Sequence, residues 1–303
     1  MPPPATDVPE LAVPVPRGGP GVAAAGRLYF SEDSNAKGLY EINVQTGQAT
    51  HLGQSGVTSR TVGLAPTDSE DLLYASKWST LLHVKADGSG FTDVGGTGTE
   101  GLAFDGETLY GAINGQLFTM NPDNGQRLVT LAAPGADVEG LAYCARDHSL
   151  YGLAGFSGPR GDLFKYDIGS NSWRRIGNAG VAFNECGLAY DAGANVLYAK
   201  GSQDSFLYRL DPATAQATRI GDTGVAAGGG LALVGGSPTC VYTLKKSTPK
   251  GGCGNCPPKG GEYRTQTACE DVKDCDKKIK TIIACPNGGN GTCKLKGKRS
   301  SCG

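Results

Sequence analysis

The chain has 303 residues, of which 39% are hydrophobic, and its formal net charge is -1. This length suits one large domain with a small appendage. The 48 glycines and the low aromatic content of 7% are typical of many short strands joined by tight turns. No stretch is long and apolar enough to predict a membrane span, and the N-terminus lacks the basic start and apolar run of a signal peptide.

Charge and cysteine content divide the chain into an acidic body and a basic tail. From Cys240 onward there are 13 Lys and Arg against 5 Asp and Glu, a net charge of +8, which leaves -9 for the rest. Eight of the 10 cysteines lie in the same tail. An even number of cysteines in so short a segment predicts a disulfide framework, and hence an oxidising environment, extracellular or on a virion surface.

The tripeptide Gly-Leu-Ala recurs through the body. Its copies begin at Gly63, Gly101, Gly140, Gly187 and Gly230, so consecutive glycines are 38, 39, 47 and 43 residues apart. A period of roughly 40 residues with strand-like content indicates a β-propeller, in which each repeat forms one four-stranded blade.

Each repeat contains the same series of strand and turn signals. In the repeat that begins at Gly101, a Leu-Tyr pair at 109–110 is followed by an alternating run at 117–120 and a turn at Asn121–Gly125. A further short run ends at Gly135. The alternation has the period of 2 that pleated strands require, so we expect four strands per repeat.

The two ends of the repeat region predict how a ring would close. The first unit has strand signals at Leu28, Leu39 and Ala49 but no preceding Gly-Leu-Ala, whereas the last Gly-Leu-Ala has no full unit after it. Leu231–Val234 would therefore complete the first blade and remove the exposed strand edges. This gives five blades; the alternative of six blades would use Cys240–Leu244 as a further strand.

Over about residues 27–235 the chain resembles β-propeller repeat proteins in general, without the motifs of a particular family. The resemblance implies an all-β fold and leaves function open, because propellers serve as lectins, glycosidases, lyases and scaffolds. We predict an extended arm rich in Pro, Gly and Ala at 1–26, a propeller at 27–236 and a basic, cysteine-rich tail at 237–303.

The tail is too poor in apolar residues for a core of its own, so we expect disulfides to stabilise it. The predicted bridges use Cys240, Cys253, Cys256, Cys269, Cys275, Cys285, Cys293 and Cys302. The C-x-x-C at 253–256 lacks the second pair of a zinc site and the helix of a redox motif. We predict neither a metal nor another cofactor. Asn290 begins a glycosylation sequon.

The two cysteines of the body are predicted to be free thiols. Cys144 lies near the end of the first strand of one repeat, the strand that contains Gly-Leu-Ala. Cys186 comes just before the first strand of the next repeat. Because neighbouring first strands of a propeller run in the same direction, the two should lie about five residues apart along it. At about 3.3 Å per residue this separation exceeds the reach of a disulfide.

Candidate ligand residues lie just before the Gly-Leu-Ala runs and in loops that reach the same end of a propeller. They are Arg60, Trp78, Glu100, Asn114, Glu139, Phe156 and Glu185. Aromatic rings that stack on a sugar, with carboxylates beside them, predict a carbohydrate site, and two carboxylates across a pocket would allow glycoside hydrolysis. The alternative is that these are solvated loop charges. The sequence has no Ser-His-Asp or phosphate-loop signature.

We predict a non-enzymatic structural or interaction protein of an extracellular or virion-surface assembly. Its arm and tail would mediate self-association, since body and tail of different copies carry opposite charge. The partners would be copies of itself or another structural protein, and a glycan or other polyanion is a further candidate. A lectin-like propeller is the alternative function, and a glycosidase or lyase is less favoured. Nucleic acid is disfavoured because the basic residues have almost no aromatic neighbours.

Overall fold

The computed structural model describes residues 26–33, 38–53, 62–96, 98–235, 239–251, 256, 258–260, 262–268, 276–284 and 292–302. The regular structure of these residues consists of β-strands in four-stranded antiparallel sheets, which confirms the predicted all-β class. Within the described ranges, no helix has the length and apolar character that crossing a membrane requires. The predicted arm lies almost wholly outside them.

Each Gly-Leu-Ala repeat corresponds to one sheet, whose strands follow one another in chain order. The second sheet consists of β4 (Gly63–Pro66), β5 (Leu72–Lys77), β6 (Thr80–Lys85) and β7 (Phe91–Gly95). The third consists of β8 (Gly101–Phe104), β9 (Leu109–Ile113), β10 (Gln116–Met120) and β11 (Arg127–Thr130). The fourth consists of β12 (Val138–Cys144), β13 (Ser149–Ala154), β14 (Asp162–Asp167) and β15 (Ser172–Asn178). The fifth consists of β16 (Gly187–Asp191), β17 (Val196–Lys200), β18 (Phe206–Leu210) and β19 (Ala217–Asp222).

The first sheet takes its strands from both ends of the repeat region. Its members are β1 (Arg27–Glu32), β2 (Leu39–Ile42), β3 (Ala49–Gly53) and β20 (Gly229–Val234). Strand β20 is antiparallel to β1, with Leu28 opposite Leu233 and Phe30 opposite Leu231. The last Gly-Leu-Ala run therefore supplies the strand that the first unit lacks.

The strands that contain Gly-Leu-Ala, called the inner strands below, contact one another in the order β4, β8, β12, β16, β20 and back to β4. The glycine of the motif is required at these contacts. A Cβ on Gly63 would lie 2.8 Å from the Glu100 carbonyl oxygen, and one on Gly101 would lie 2.9 Å from that of Glu139. At Gly230 it would overlap the backbone of Leu64. Any larger residue would push neighbouring sheets apart.

The apolar core of the body lies between neighbouring sheets rather than on one side of each. Tyr29 and Leu39 of the first sheet pack with Leu64 and Leu82 of the second, and four further clusters join sheets two and three, three and four, four and five, and five and one. Each sheet thus buries both faces, which hydrophobic burial favours strongly.

Two features repeat in the outer half of every body sheet. A register shift interrupts the pairing of the third and fourth strands, and such bulges increase strand twist. In four sheets it follows the first leucine of the third strand, for instance Leu81 and Leu207, whereas in the third sheet it lies between Phe118 and Met120. In the turn between the third and fourth strands, the side-chain oxygen of an Asp or Asn accepts a hydrogen bond from a nearby backbone N–H. These residues are Asn43, Asp87, Asn121, Asp167 and Asp211.

The tail contains a sixth sheet of different topology. Its strands are β21 (Thr239–Lys250), β22 (Glu262–Ala268), β23 (Lys278–Ala284) and β24 (Thr292–Cys302), in the order β22-β21-β24-β23. Cys240–Leu244, the extra strand of the six-blade alternative, belongs to β21 and pairs within this sheet.

A disulfide joins Cys256 to Cys293 in the tail, as the cysteine content predicts. Cys293 packs with Leu244 and Leu295 in a small buried cluster, so the bridge supplements a minimal core. Cys240 and Cys302 are backbone register partners in β21 and β24, and their bridges remain a prediction. Four other predicted disulfide positions, Cys253, Cys269, Cys275 and Cys285, lie outside the described residues, as does Asn290.

Candidate ligand pocket

A cavity of about 150 Å³ opens where the inner strands begin. Its lining comes from every body sheet: Asp33, Val62, Trp78, Glu100, Glu139, Phe156, Glu185, Cys186 and Gly229. Val62, Glu100 and Cys186 each lie directly before an inner strand. The cavity is comparable in volume to engineered cavities that hold one six-membered aromatic ring.

The structure brings together five of the residues predicted from sequence: Trp78, Glu100, Glu139, Phe156 and Glu185. Asn114 does not line the cavity, but its backbone N–H faces Glu100 Oε2 at 3.5 Å. Arg60 lies outside the described residues. Asp33 lies in one of the loops predicted to reach this end, although it was not among the candidate ligand residues. Sequence reasoning left out Val62 and Gly229, and it considered Cys186 only as a thiol, although the position directly before Gly187 could have placed it here.

Glu139 is the most deeply buried acid of the pocket, with 5% of its surface exposed. It lies in β12 and accepts the backbone N–H of Cys186 at 3.1 Å, a bond that links the fourth and fifth sheets. A Cβ at Gly155 would overlap its carboxylate, so glycine there leaves room for the acid. Burial raises the pKa of Glu139 to about 7, against the opposing hydrogen bonds from the N–H groups of Phe156 and Cys186.

Glu100 occupies the equivalent edge of the third sheet. Burial, together with the nearby charges of Asp137 and Glu139, raises its pKa to about 7. The Asn114 N–H opposes this shift. The turn at Asn114 and Gly115 holds this N–H in place. Both residues have positive φ, as a two-residue hairpin turn requires. Glu100 and Glu139 therefore both gain charge near neutral pH.

Glu185 has a left-handed backbone with φ of 46°, which is uncommon for a residue with a side chain. The Glu185 carbonyl accepts the N–H of Gly229 at 3.0 Å, and a Cβ on Gly228 would overlap its backbone. The contact with β20 thus holds Glu185 in this conformation. Backbone outliers held by their surroundings are frequent at binding sites.

Two aromatic rings stand at the pocket with much of their surface in solvent. Trp78 is 48% exposed and Phe156 is 58% exposed. Trp78 lies in the turn between β5 and β6, and the Phe156 carbonyl accepts a 3.0 Å hydrogen bond from Arg160 Nε. An apolar ring that remains exposed beside a cavity can stack on a ligand at little conformational cost.

Lys200 is a buried cation beside this region that sequence reasoning missed. It is fully buried at the end of β17, and its Nζ donates to the Ala227 carbonyl at 2.7 Å. Burial lowers its pKa to about 8, and the charges of Asp204, Asp33 and Glu32 oppose that shift. Because its ammonium is occupied by backbone carbonyls, Lys200 stabilises this corner of the fold rather than lining the cavity.

Cys144 and Cys186 are both buried and carry free thiols. Cys144 is the last residue of β12, whereas Cys186 comes directly before β16. The two sulfurs are therefore near different ends of β12 and β16. Burial raises the pKa of both thiols, which keeps them protonated and unreactive.

Within the described part of the chain, no group of three or more His, Cys, Asp or Glu side chains has the arrangement of a metal site. No protein-family model matches the chain, and no curated protein matches it.

Proposed function

We propose that the body is a closed five-bladed β-propeller covering residues 27–236, followed by a separate tail at 237–303. The support is one four-stranded sheet per repeat and the return of inner-strand contacts from β20 to β4. The alternative of six blades would need β21 beside β20, whereas β21 pairs with β22 and β24.

For this propeller we propose carbohydrate binding without catalysis. The observation that carries the proposal is the meeting of Trp78 and Phe156 with Glu100, Glu139 and Glu185 at one cavity. A sugar ring has an apolar face that can stack on an aromatic ring and hydroxyls that donate to carboxylates. A concave site with rings and a few polar groups is the usual form of a small-ligand pocket.

The acids support binding more than hydrolysis. Glycoside hydrolysis uses two carboxyl groups in different states, one protonated as the acid and one ionised, and their environments push their pKa values apart. In this pocket the pKa values of Glu100 and Glu139 are both raised to about 7. Neither is favoured as the ionised nucleophile or base.

An extracellular setting agrees with the Cys256–Cys293 disulfide, because such bridges persist in oxidising environments. Self-association through the tail is a second proposal, supported by the opposite charges of body and tail. It is weaker than sugar binding because one partner of the predicted contact, the arm, lies outside the described residues.

The test is a glycan array with the full chain, followed by calorimetry on the best ligand. Trp78→Ala should weaken binding about tenfold, the equivalent of ~1.4 kcal/mol, and Glu100→Ala should also weaken it. Leu128→Ala is the matched control, because Leu128 is another exposed apolar side chain away from the cavity. Binding to no glycan, or equal affinity of the Trp78 variant, would contradict the proposal. Release of reducing sugar would reassign the pocket to hydrolysis.

A further inference from the structure

The tail sheet carries a regular array of lysines on one face. In β24, Lys294, Lys296 and Lys298 are exposed, while the intervening residues Cys293, Leu295 and Gly297 are buried. Since successive side chains of a strand point to opposite faces, the three lysines share the outer face. Their spacing along the strand is about 6.8 Å.

Strand register extends this array onto both neighbouring strands. Lys296 lies opposite Lys280 of β23 and Lys246 of β21, and Lys298 lies opposite Lys278. Lys250 occupies the same face at the end of β21, opposite Thr292. All seven lysines are exposed: Lys246, Lys250, Lys278, Lys280, Lys294, Lys296 and Lys298.

This arrangement has an electrostatic cost within the free protein. Like charges directly opposite each other on neighbouring strands destabilise a sheet, and here they are about 5 Å apart across the strands. Among the described residues, none of the seven forms an ion pair. The acids nearest in sequence or register are Asp276, before β23, and Glu262, the register partner of Thr243 in β21, both at the margin of the array.

We propose that this lysine face binds a linear polysaccharide that carries sulfate or carboxylate groups. The charges form a flat field across three strands, which suits an extended chain with repeated anionic groups. A bound polyanion would offset the repulsion between the lysines and release its own counterions, as for other polyelectrolytes.

The composition of the face favours such a polysaccharide over nucleic acid. The other described side chains of the face are Thr243, Thr248, Ile282 and Thr292, whereas proteins that hold single-stranded nucleic acid present aromatic platforms for the bases. The disulfide beneath the sheet also suits an oxidising, extracellular setting.

The experiment measures binding of the full, oxidised chain to heparin, with dextran as the uncharged polysaccharide and a single-stranded 20-mer DNA as the competing polyanion. The test variant is Lys246→Gln, Lys280→Gln, Lys296→Gln, which removes the row that crosses three strands. The control variant is Lys85→Gln, Arg174→Gln, Arg209→Gln, which removes the same charge from exposed positions of the body.

We expect heparin binding that weakens steeply with salt and no binding of dextran. The row variant should lose at least tenfold in affinity and show a shallower salt dependence, while the control variant should change less than twofold. Exchange of the same row to arginine, which keeps the charge, should retain heparin binding. The glutamine row variant should keep the wild-type melting temperature, which excludes misfolding as the cause of its loss.

Three outcomes would overturn the proposal: heparin fails to bind, the row and control variants lose affinity equally, or DNA binds as tightly as heparin. A fourth concerns a second copy of the chain. If particle size at low salt falls in the row variant while heparin leaves the wild-type chain unaffected, the lysine face binds the acidic body of another copy instead. None of these outcomes depends on the pocket of the body.

Discussion

The body sheets and the tail sheet have the same number of strands but are stabilised in different ways. Each body sheet packs against a sheet on either side, and five buried clusters fill the spaces between them. Among its described residues, the tail sheet has one small buried cluster around Leu244, Cys293 and Leu295, with a disulfide attached. A sheet with so small a described core depends more on a covalent link, and its lysine-bearing face remains available for charge.

Loss of the tail disulfide should give the largest difference between the two regions. The bridge spans a sequence separation of 37, for which loop entropy gives about 4 kcal/mol of stabilisation. Cys256→Ser with Cys293→Ser should therefore unfold the tail while the body keeps its melting temperature. Hydrogen exchange by mass spectrometry would resolve the regions; retained protection in β21 and β24 would show that the small core suffices. Cys144→Ser is the control, since its thiol is unbridged.

The glycines of the inner strands provide the converse test in the body. Gly101→Ala places a methyl group 2.9 Å from the Glu139 carbonyl oxygen, and overpacking of this kind costs about 1–3 kcal/mol. Gly90→Ala is a matched control, because a Cβ there meets nothing within 4 Å. Denaturant melts should show destabilisation only for the first variant, with the tail unaffected. Equal stability of the two would mean that the inner strands are not tightly packed.

The pocket acids should make the pH dependence of the body different from that of the tail. The folded-state pKa values of Glu100 and Glu139 are raised to about 7 from 4.5. The folded protein therefore binds more protons than the unfolded chain between these values, and the stability of the body falls as pH rises from 4.5 to 7.

Glu139→Gln, which keeps the shape without the charge, should remove the part of that fall due to Glu139, about 3 kcal/mol at pH 8. Thermal melts at pH 5 and pH 8 measure it, with the exposed Glu107→Gln as the control. Two results would show that burial does not penalise the charged form of Glu139. One is a wild-type melting temperature that rises from pH 5 to pH 8. The other is a Glu139→Gln melting temperature that falls as steeply as that of wild type.

Much of the body could be predicted from local sequence because its signals are periodic. The alternation in each repeat and the position of Gly-Leu-Ala predicted where strands such as β8 and β16 lie, and the orphan run at Gly230 predicted a strand beside Leu28. The tail gave no such signal. Strand β24 alternates lysine with Cys, Leu and Gly. Which side of such a strand is buried depends on the strands that pair with it, so the sequence did not predict a regular sheet in the tail.

The same division holds within the pocket. The sequence by itself determined that acids and aromatic residues occur near the starts of the inner strands, because the repeat sets their position along the chain. Only the tertiary structure decided that they share one cavity, that Val62 and Cys186 join them, and that Lys200 is buried nearby. Those outcomes depend on the cyclic contact of sheets distant in sequence, where burial and neighbouring charge raise the pKa values of Glu100 and Glu139. Likewise, the lysines of the tail are scattered along the chain, and strand register alone places Lys246, Lys280 and Lys296 in one row.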